Sequence, residues 1–195
     1  MNDHDWATIR QRIRDGRSAI TPDGELPFAN REAILASIIE SEPDRAVAER
    51  LWAEIELECA RHVWPIWQTA FPDDKLPLEL ADRSYRNRMA HGDENLDGEL
   101  ARLQAHLDNI RVADVGEAPL AAGHACVAAA HATTQDHDRA GARSELDLDP
   151  DEWDACFYAA LAAAGGAVWD GLGDRTRRRA YWEWYLDMIK SKIPR

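Results

Sequence analysis

Arg177-Arg178-Arg179-Ala180-Tyr181-Trp182-Glu183-Trp184-Tyr185-Leu186 stands near the end of this 195-residue chain. Two Trp, two Tyr and three Arg within so short a stretch need a structural reason, because large aromatic side chains are scarce and bury much area. Tyr181, Trp184, Tyr185, Met188 and Ile189 recur at helical spacing, so the segment predicts an amphipathic helix docked by that face. Trp184 is expected to be largely buried on it. The three Arg fan out over one turn and are expected to pair with acidic groups of the body rather than to form a nucleic-acid patch. No catalytic chemistry requires such a string. Packing does, and the packing is helix on helix.

Working outward, no segment reads as strand. Val, Ile and Thr are sparse and never alternate, while Ala, Leu, Glu and Arg dominate. Residues 5–14 predict a short helix with Trp6, Ile9 and Ile13 on one face, followed by a Pro- and Gly-bearing loop over 17–28. Asn30 is a candidate N-cap for a helix through Glu40, and Pro43 suits the first turn of the next. That helix is expected to present Val47, Leu51, Ile55, Cys59, His62 and Ile66 along one side, with a kink at Pro65. Another helix begins at Pro77 and stops near Gly92. Leu96, Leu100, Leu103, Leu107 and Ile110 make the cleanest stripe in the chain, capped by Asn95 or Asp93. The Ala-rich residues 117–133 predict a helix in the middle of the bundle, since small side chains allow close approach. Asp149, Pro150 and Glu152 form a capping-box start, with Leu148 and Trp153 as its apolar staple, for a helix reaching about Trp169. Gly171 and Gly173 then turn the chain, and Asp174 caps the last helix. The expectation is an all-α fold: one domain over 1–195, a bundle of about seven to eight helices, with 1–29 a loosely attached helix and loop.

Apolar content of 45% and charged content of 30% are those of a globular protein with a core. Its net charge is -13, and residues 174–195 carry seven bases against three acids, so the remainder is more acidic still. Such a body repels phosphates and anionic membranes, which argues against nucleic-acid or membrane partners, and it attracts basic protein surfaces. Cys59, Cys126 and Cys156 are odd in number and lie in apolar helical contexts, so they are expected to be reduced and buried. With no basic-then-apolar leader at the N-terminus, the expected location is the cytoplasm.

Candidate chemistry is thin. His124, Cys126 and His131 share the Ala-rich helix, with Asp136, His137 and Asp138 soon after, and all are metal-ligand types. However, His124 and Cys126 project differently, and His124 and His131 are two turns apart, about 10 Å along the axis. Glu54, Glu58 and His62 share one stripe, but a carboxylate-bridged metal pair needs a second ligand-bearing helix, and a solvated face accounts for them. None of the six Ser sits in a Gly-x-Ser-x-Gly setting, and no Gly-rich loop has phosphate-cradling spacing. No catalytic residue, cofactor or metal is therefore expected. The alternative is a helical enzyme or a small-ligand or metal-binding bundle using His124, Cys126 and His131.

A resemblance supplies a function. Cys59-Ala60-Arg61-His62-Val63-Trp64-Pro65-Ile66-Trp67, closed by Phe71-Pro72-Asp73-Asp74-Lys75-Leu76-Pro77, resembles the "VLPIWE…FPGDxRP" segment of bacterial immunity proteins. So do Trp153-Asp154-Ala155, Gly165-Gly166 and Trp169, followed by the Arg-Arg-x-Tyr-Trp-x-Trp-Tyr-Leu ending. The family is immunity protein family 5 of polymorphic toxin systems. The similarity runs from about residue 45 to 189, with departures over 84–97 and 112–119. It implies a mostly helical protein encoded beside a toxin gene, which binds the cognate protein toxin and blocks it. It carries no catalytic residues. Acidity suits a basic-surfaced effector such as a nuclease. The acids Asp136, Asp138, Glu145, Asp147, Asp149, Asp151 and Glu152, concentrated in a loop and helix start, are the expected partner-binding surface. The competing account is a solvated loop. Nothing in the sequence specifies an oligomeric state.

Overall fold

Small side chains set the layout. The computed structural model describes residues 3–41, 44–132 and 144–193. In chain order these form α1 (Asp3–Ala19), α2 (Phe28–Ser41), α3 (Arg45–Ala70), α4 (Leu76–Met89), α5 (Asp97–Asn109), the single turn α6 (Val112–Val115), α7 (Glu117–His131), α8 (Ala155–Ala164) and α9 (Arg175–Lys192). Two 3-10 turns, Glu145–Asp147 and Pro150–Glu152, precede α8. Among the described residues there is no strand, so the chain is all-α, and no helix is long and apolar enough to cross a membrane.

The Ala-rich α7 lies at the centre, packed on α3, α8, α4 and α5. Ala122, Ala125, Cys126 and Ala130 are fully enclosed. Gly123 marks the tightest approach. A Cβ there would stand 2.8 Å from the Trp67 ring of α3 and 3.0 Å from Leu107 of α5, closer than carbon atoms pack. α8 repeats the device with Ala155, Ala159, Ala160 and Ala162, which lets it lie against both α3 and α7. α5 buries Leu96, Leu100, Leu103 and Leu107 as its stripe requires, and Asn95 accepts a hydrogen bond from the Asp97 amide at 2.9 Å. α1 packs on α2 and α9. The N-terminal residues expected to attach loosely place Ile9, Ile13, Ile20 and Leu26 in the core.

Several local expectations are corrected. α2 starts at Phe28, not after Asn30, because the Pro27 carbonyl accepts the first helical bonds, from Asn30 and Arg31. Asp44 caps α3 by accepting from the Ala46 amide, and Pro43 lies outside the described residues. The buried side of α3 is Ala48, Trp52, Ile55, Cys59, Val63 and Trp67, widened by Ala53, Leu57 and Ala60. Val47, Leu51 and Ile66 are only half-buried and His62 is exposed. α7 and α8 pack closely on α3, so the covered face is the one that carries its alanines together with Trp52 and Trp67. The helix continues through Pro65, which is exposed.

The helix expected from Asp149 to Trp169 is in fact two shorter pieces. The capping box of Asp149 and Glu152 forms, but it closes only one 3-10 turn. α8 begins at Ala155, where Asp154 accepts from the Phe157 amide at 2.7 Å and Glu56 of α3 accepts from the Ala155 amide at 2.5 Å. Two carboxylates at a helix N-terminus complement its dipole. Arg31 of α2, buried against α8 and α9, lies 3.3 Å from Asp154 and pairs also with Glu145. Gly165, in the left-handed region at φ 80°, ends α8, so Gly165 and Gly166 are its terminus rather than part of its interior.

On α9, Asp174 caps as expected, accepting from the Thr176 and Arg177 amides. The fully buried Trp is Trp182, not Trp184. Trp184 is half-buried and stacks on His62 with ring centroids 3.7 Å apart. Of the Arg triplet, Arg178 is buried and Arg177 is exposed. Arg179 donates to the Thr21 carbonyl at 2.9 Å.

Candidate functional site

The outer faces of α5 and α7, together with the Pro150–Glu152 turn and α8, enclose a cleft of about 500 Å³. Its polar side comes from α5. Asp97, Ala101, Gln104, Ala105 and Asp108 form the face beside the buried Leu stripe. α7 contributes His124, Val127, Ala128 and His131, and the opposite wall is Asp151, Trp153 and Tyr158. The periodicity of two helices thus puts two carboxylates and two imidazoles into one opening, and the Pro150–Glu152 turn adds Asp151.

The walls are held in place. His124 stacks on Tyr158 with centroids 5.3 Å apart, and the Tyr158 hydroxyl donates to the Pro150 carbonyl at 2.6 Å. Trp153 Nε1 donates to the Glu145 carbonyl at 2.9 Å. Burial holds both His124 and His131 below the ordinary imidazole value. Asp108, 4.0 Å from His124 Nε2, opposes the first shift, and Asp97 and Asp151 oppose the second. Both imidazoles are therefore biased toward their neutral form, which leaves Asp97, Asp108 and Asp151 as the acidic groups of the cleft. Among the described residues, none of the three is in an ion pair with Lys or Arg.

The acids expected from sequence to bind a partner divide accordingly. Asp151 lines the cleft. Asp147, Asp149 and Glu152 are exposed nearby, and their backbone or side-chain groups complete the two capping boxes. Glu145, expected to be exposed, instead turns inward to Arg31. Asp136 and Asp138 lie outside the described residues. Asp97 and Asp108 were missed. The available signal was the polar stripe at i, i+4, i+7 and i+11 beside the leucines of α5.

The arrangement offers little for catalysis or metal binding. His124 and His131 share the cleft, but Cys126 faces the interior, where burial pushes its thiol well up. The alternative His124–Cys126–His131 set is therefore not brought together. Among the described residues no group of three or more His, Cys, Asp and Glu side chains could hold a metal ion. Glu54 pairs with Lys192 and Glu58 with Arg61, which accounts for the stripe next to His62. All three cysteines are free and buried.

An open acidic cleft with aromatic walls, and no assembled set of reacting groups, suits recognition of another molecule. Comparison with curated proteins gave no match. The profile of one family, immunity protein Imm5, matches residues 13–192, which extends the motif similarity to nearly the whole chain. The chain belongs to the Imm5 immunity protein family.

Proposed function

We propose that this protein protects the cell that makes it by binding a basic-surfaced toxin, such as a nuclease, encoded beside its gene. The acidic cleft bounded by α5, α7 and the Pro150–Glu152 turn is the contact. It acts by occupying the toxin surface, with no catalysis, metal or cofactor of its own. Family membership supports a toxin as the partner in general. The observation that carries the finer reading is the cleft potential: Asp97, Asp108 and Asp151 converge without cationic partners among the described residues, in a protein of net charge -13. Complementary charge accelerates encounter and fixes orientation.

The test uses the C-terminal domain of the toxin encoded beside this gene. Co-expression should restore growth, and the two chains should co-purify. The association rate should fall steeply with salt, while dissociation changes less. Replacing Asp97, Asp108 and Asp151 together by Asn should slow association at low salt without lowering the melting temperature. Association that is indifferent to both salt and this triple substitution would place the contact elsewhere.

A further inference from the structure

Trp169 and Leu172 stand 43% and 48% exposed on the connection between α8 and α9. Single exposed apolar residues are ordinary on protein surfaces. This connection is not ordinary, because it is built to hold them out. Arg178, buried beneath it, donates from Nη2 to the carbonyls of Gly166 at 2.7 Å and Leu172 at 3.2 Å, and from Nη1 to the Asp23 carbonyl at 3.2 Å. The Asp174 amide donates to the Ala164 carbonyl at 2.7 Å, closing the connection at its base. Gly173, at φ 82°, packs where a Cβ would stand 2.7 Å from the Gly166 carbonyl oxygen. A rigid loop presenting a Trp loses little entropy when that Trp is covered.

Trp169 is also grouped with other aromatic side chains. Trp169 leans on Trp153 with centroids 6.0 Å apart and on Phe157 at 5.8 Å. Leu146, 67% exposed, follows the Glu145 carbonyl that accepts the Trp153 indole bond. Trp153 is itself a wall of the acidic cleft. Trp169 therefore extends an aromatic wall of the cleft, Leu172 lies three residues further along the same loop, and Asp147, Asp149 and Asp170 are exposed on these segments. An apolar centre with a charged rim is the anatomy of a protein-binding surface, and Trp is the residue most enriched at its energetic centre.

We infer that Trp169 and Leu172 anchor an apolar side chain of the toxin, whose neighbouring Lys or Arg enters the cleft between Asp108 and Asp151. This rests on the toxin-binding reading above. Charge selects the occupant. A second copy of this chain would set the same acids against one another, because a twofold contact juxtaposes identical patches. An anionic membrane would be repelled in the same way.

The test compares wild type, Trp169→Ala, Leu172→Ser and Asp108→Asn, each titrated with the C-terminal domain of the toxin encoded beside the gene. Trp169→Ala and Leu172→Ser should each weaken binding at least tenfold through faster dissociation, with unchanged circular dichroism. Asp108→Asn should slow association and reduce its salt dependence. If Trp169→Ala misfolds, Leu172→Ser decides the matter, because its side chain is half out in solvent. Wild-type affinity in both apolar variants overturns the inference and leaves toxin binding by the cleft intact. Sedimentation showing a dimer that dissociates on Leu172→Ser also overturns it, in favour of a second copy. Failure of the wild type to bind that domain removes the toxin-binding reading as well.

Discussion

Arg178 Nη2 stands 2.7 Å from the carbonyl oxygen of Gly166, and the same guanidinium lies 3.6 Å from the Glu25 carboxylate. One buried side chain thus ties α9 to the loop before α2 and to the loop that carries Trp169. Burial raises Glu25 above the ordinary carboxylate value, and the charge of Arg178 opposes that rise. Arg178→Met should destabilise the fold by about 3–5 kcal/mol, because it removes one of two guanidinium charges, with Arg31, that act on the buried Glu25 carboxylate and leaves several carbonyls unpaired. Arg178→Lys keeps the charge but not the planar fork, and should still cost about 1–3 kcal/mol. Urea denaturation measures both. Amide exchange over residues 164–174 should accelerate in both variants; unchanged protection would mean that other contacts hold the loop.

Trp182 and Trp184 should behave differently although they are two residues apart. Trp182 is fully enclosed, between Tyr181 and Tyr185 and under the Arg31 guanidinium at 5.1 Å. Trp182→Ala should cost about 3–5 kcal/mol. Trp184 covers one face of His62 and keeps the rest in solvent, so Trp184→Ala should cost about 1–2 kcal/mol, less than a fully buried side chain. Equal losses in thermal or urea melts would contradict this difference in burial.

Gly123→Ala should destabilise the protein, against the helix propensity that favours Ala by about 1 kcal/mol. The new methyl meets the buried Trp67 ring, which has nowhere to go. Overpacking of this kind typically costs about 1–3 kcal/mol. A stabilised variant in calorimetry would show that α3 and α7 can move apart freely.

Stability should fall between neutral and mildly acidic pH. His124 and His131 are held below about 6.5 in the folded protein, chiefly by burial, so the unfolded chain binds more protons as the solution acidifies. Their contribution is present above about 6.5 and is lost as pH falls through the lower folded values. Glu25 has the opposite sign, since a raised carboxylate loses its contribution as pH rises. The melting temperature at pH 5.5 should therefore lie below that at pH 7.5, and His124→Asn should flatten part of the slope. Proton resonances of the two rings should titrate with midpoints under 6.5. A midpoint above that value for His124 would mean that Asp108 outweighs burial.

Half of the cleft is legible in the sequence. His124 and His131 at i and i+7 were visible as one face of the Ala-rich helix, and Asp151 as an exposed acid. Asp108 and Asp97 were equally visible as residues, but nothing in a linear reading says which polar face of α5 meets α7. Glu145 shows the converse. It looks like its acidic neighbours in sequence, and only Arg31, more than a hundred residues away, turns it inward.

By itself the sequence determined the helical class, the Leu stripe of α5, the central place of the Ala-rich helix, the Asp174 cap and the family motifs. The class, the stripe and the cap rest on periodicity or on hydrogen bonds between residues within about four positions, the central helix on its run of small side chains, and the motifs on resemblance; all of that information is local. Tertiary structure decided between signals of similar local strength. The capping box at Asp149 is the better sequence signal, yet α8 starts at Asp154, because Glu56 and Arg31 reach that end from other helices. A helical wheel puts Trp184 on the apolar face, yet α8 and α1 pack on α9 and Trp182 is the one enclosed while Trp184 stays half-buried. Burial and charge pairing depend on neighbours distant in the chain, so the choice of cap, of buried face and of open carboxylates belonged to the folded molecule alone.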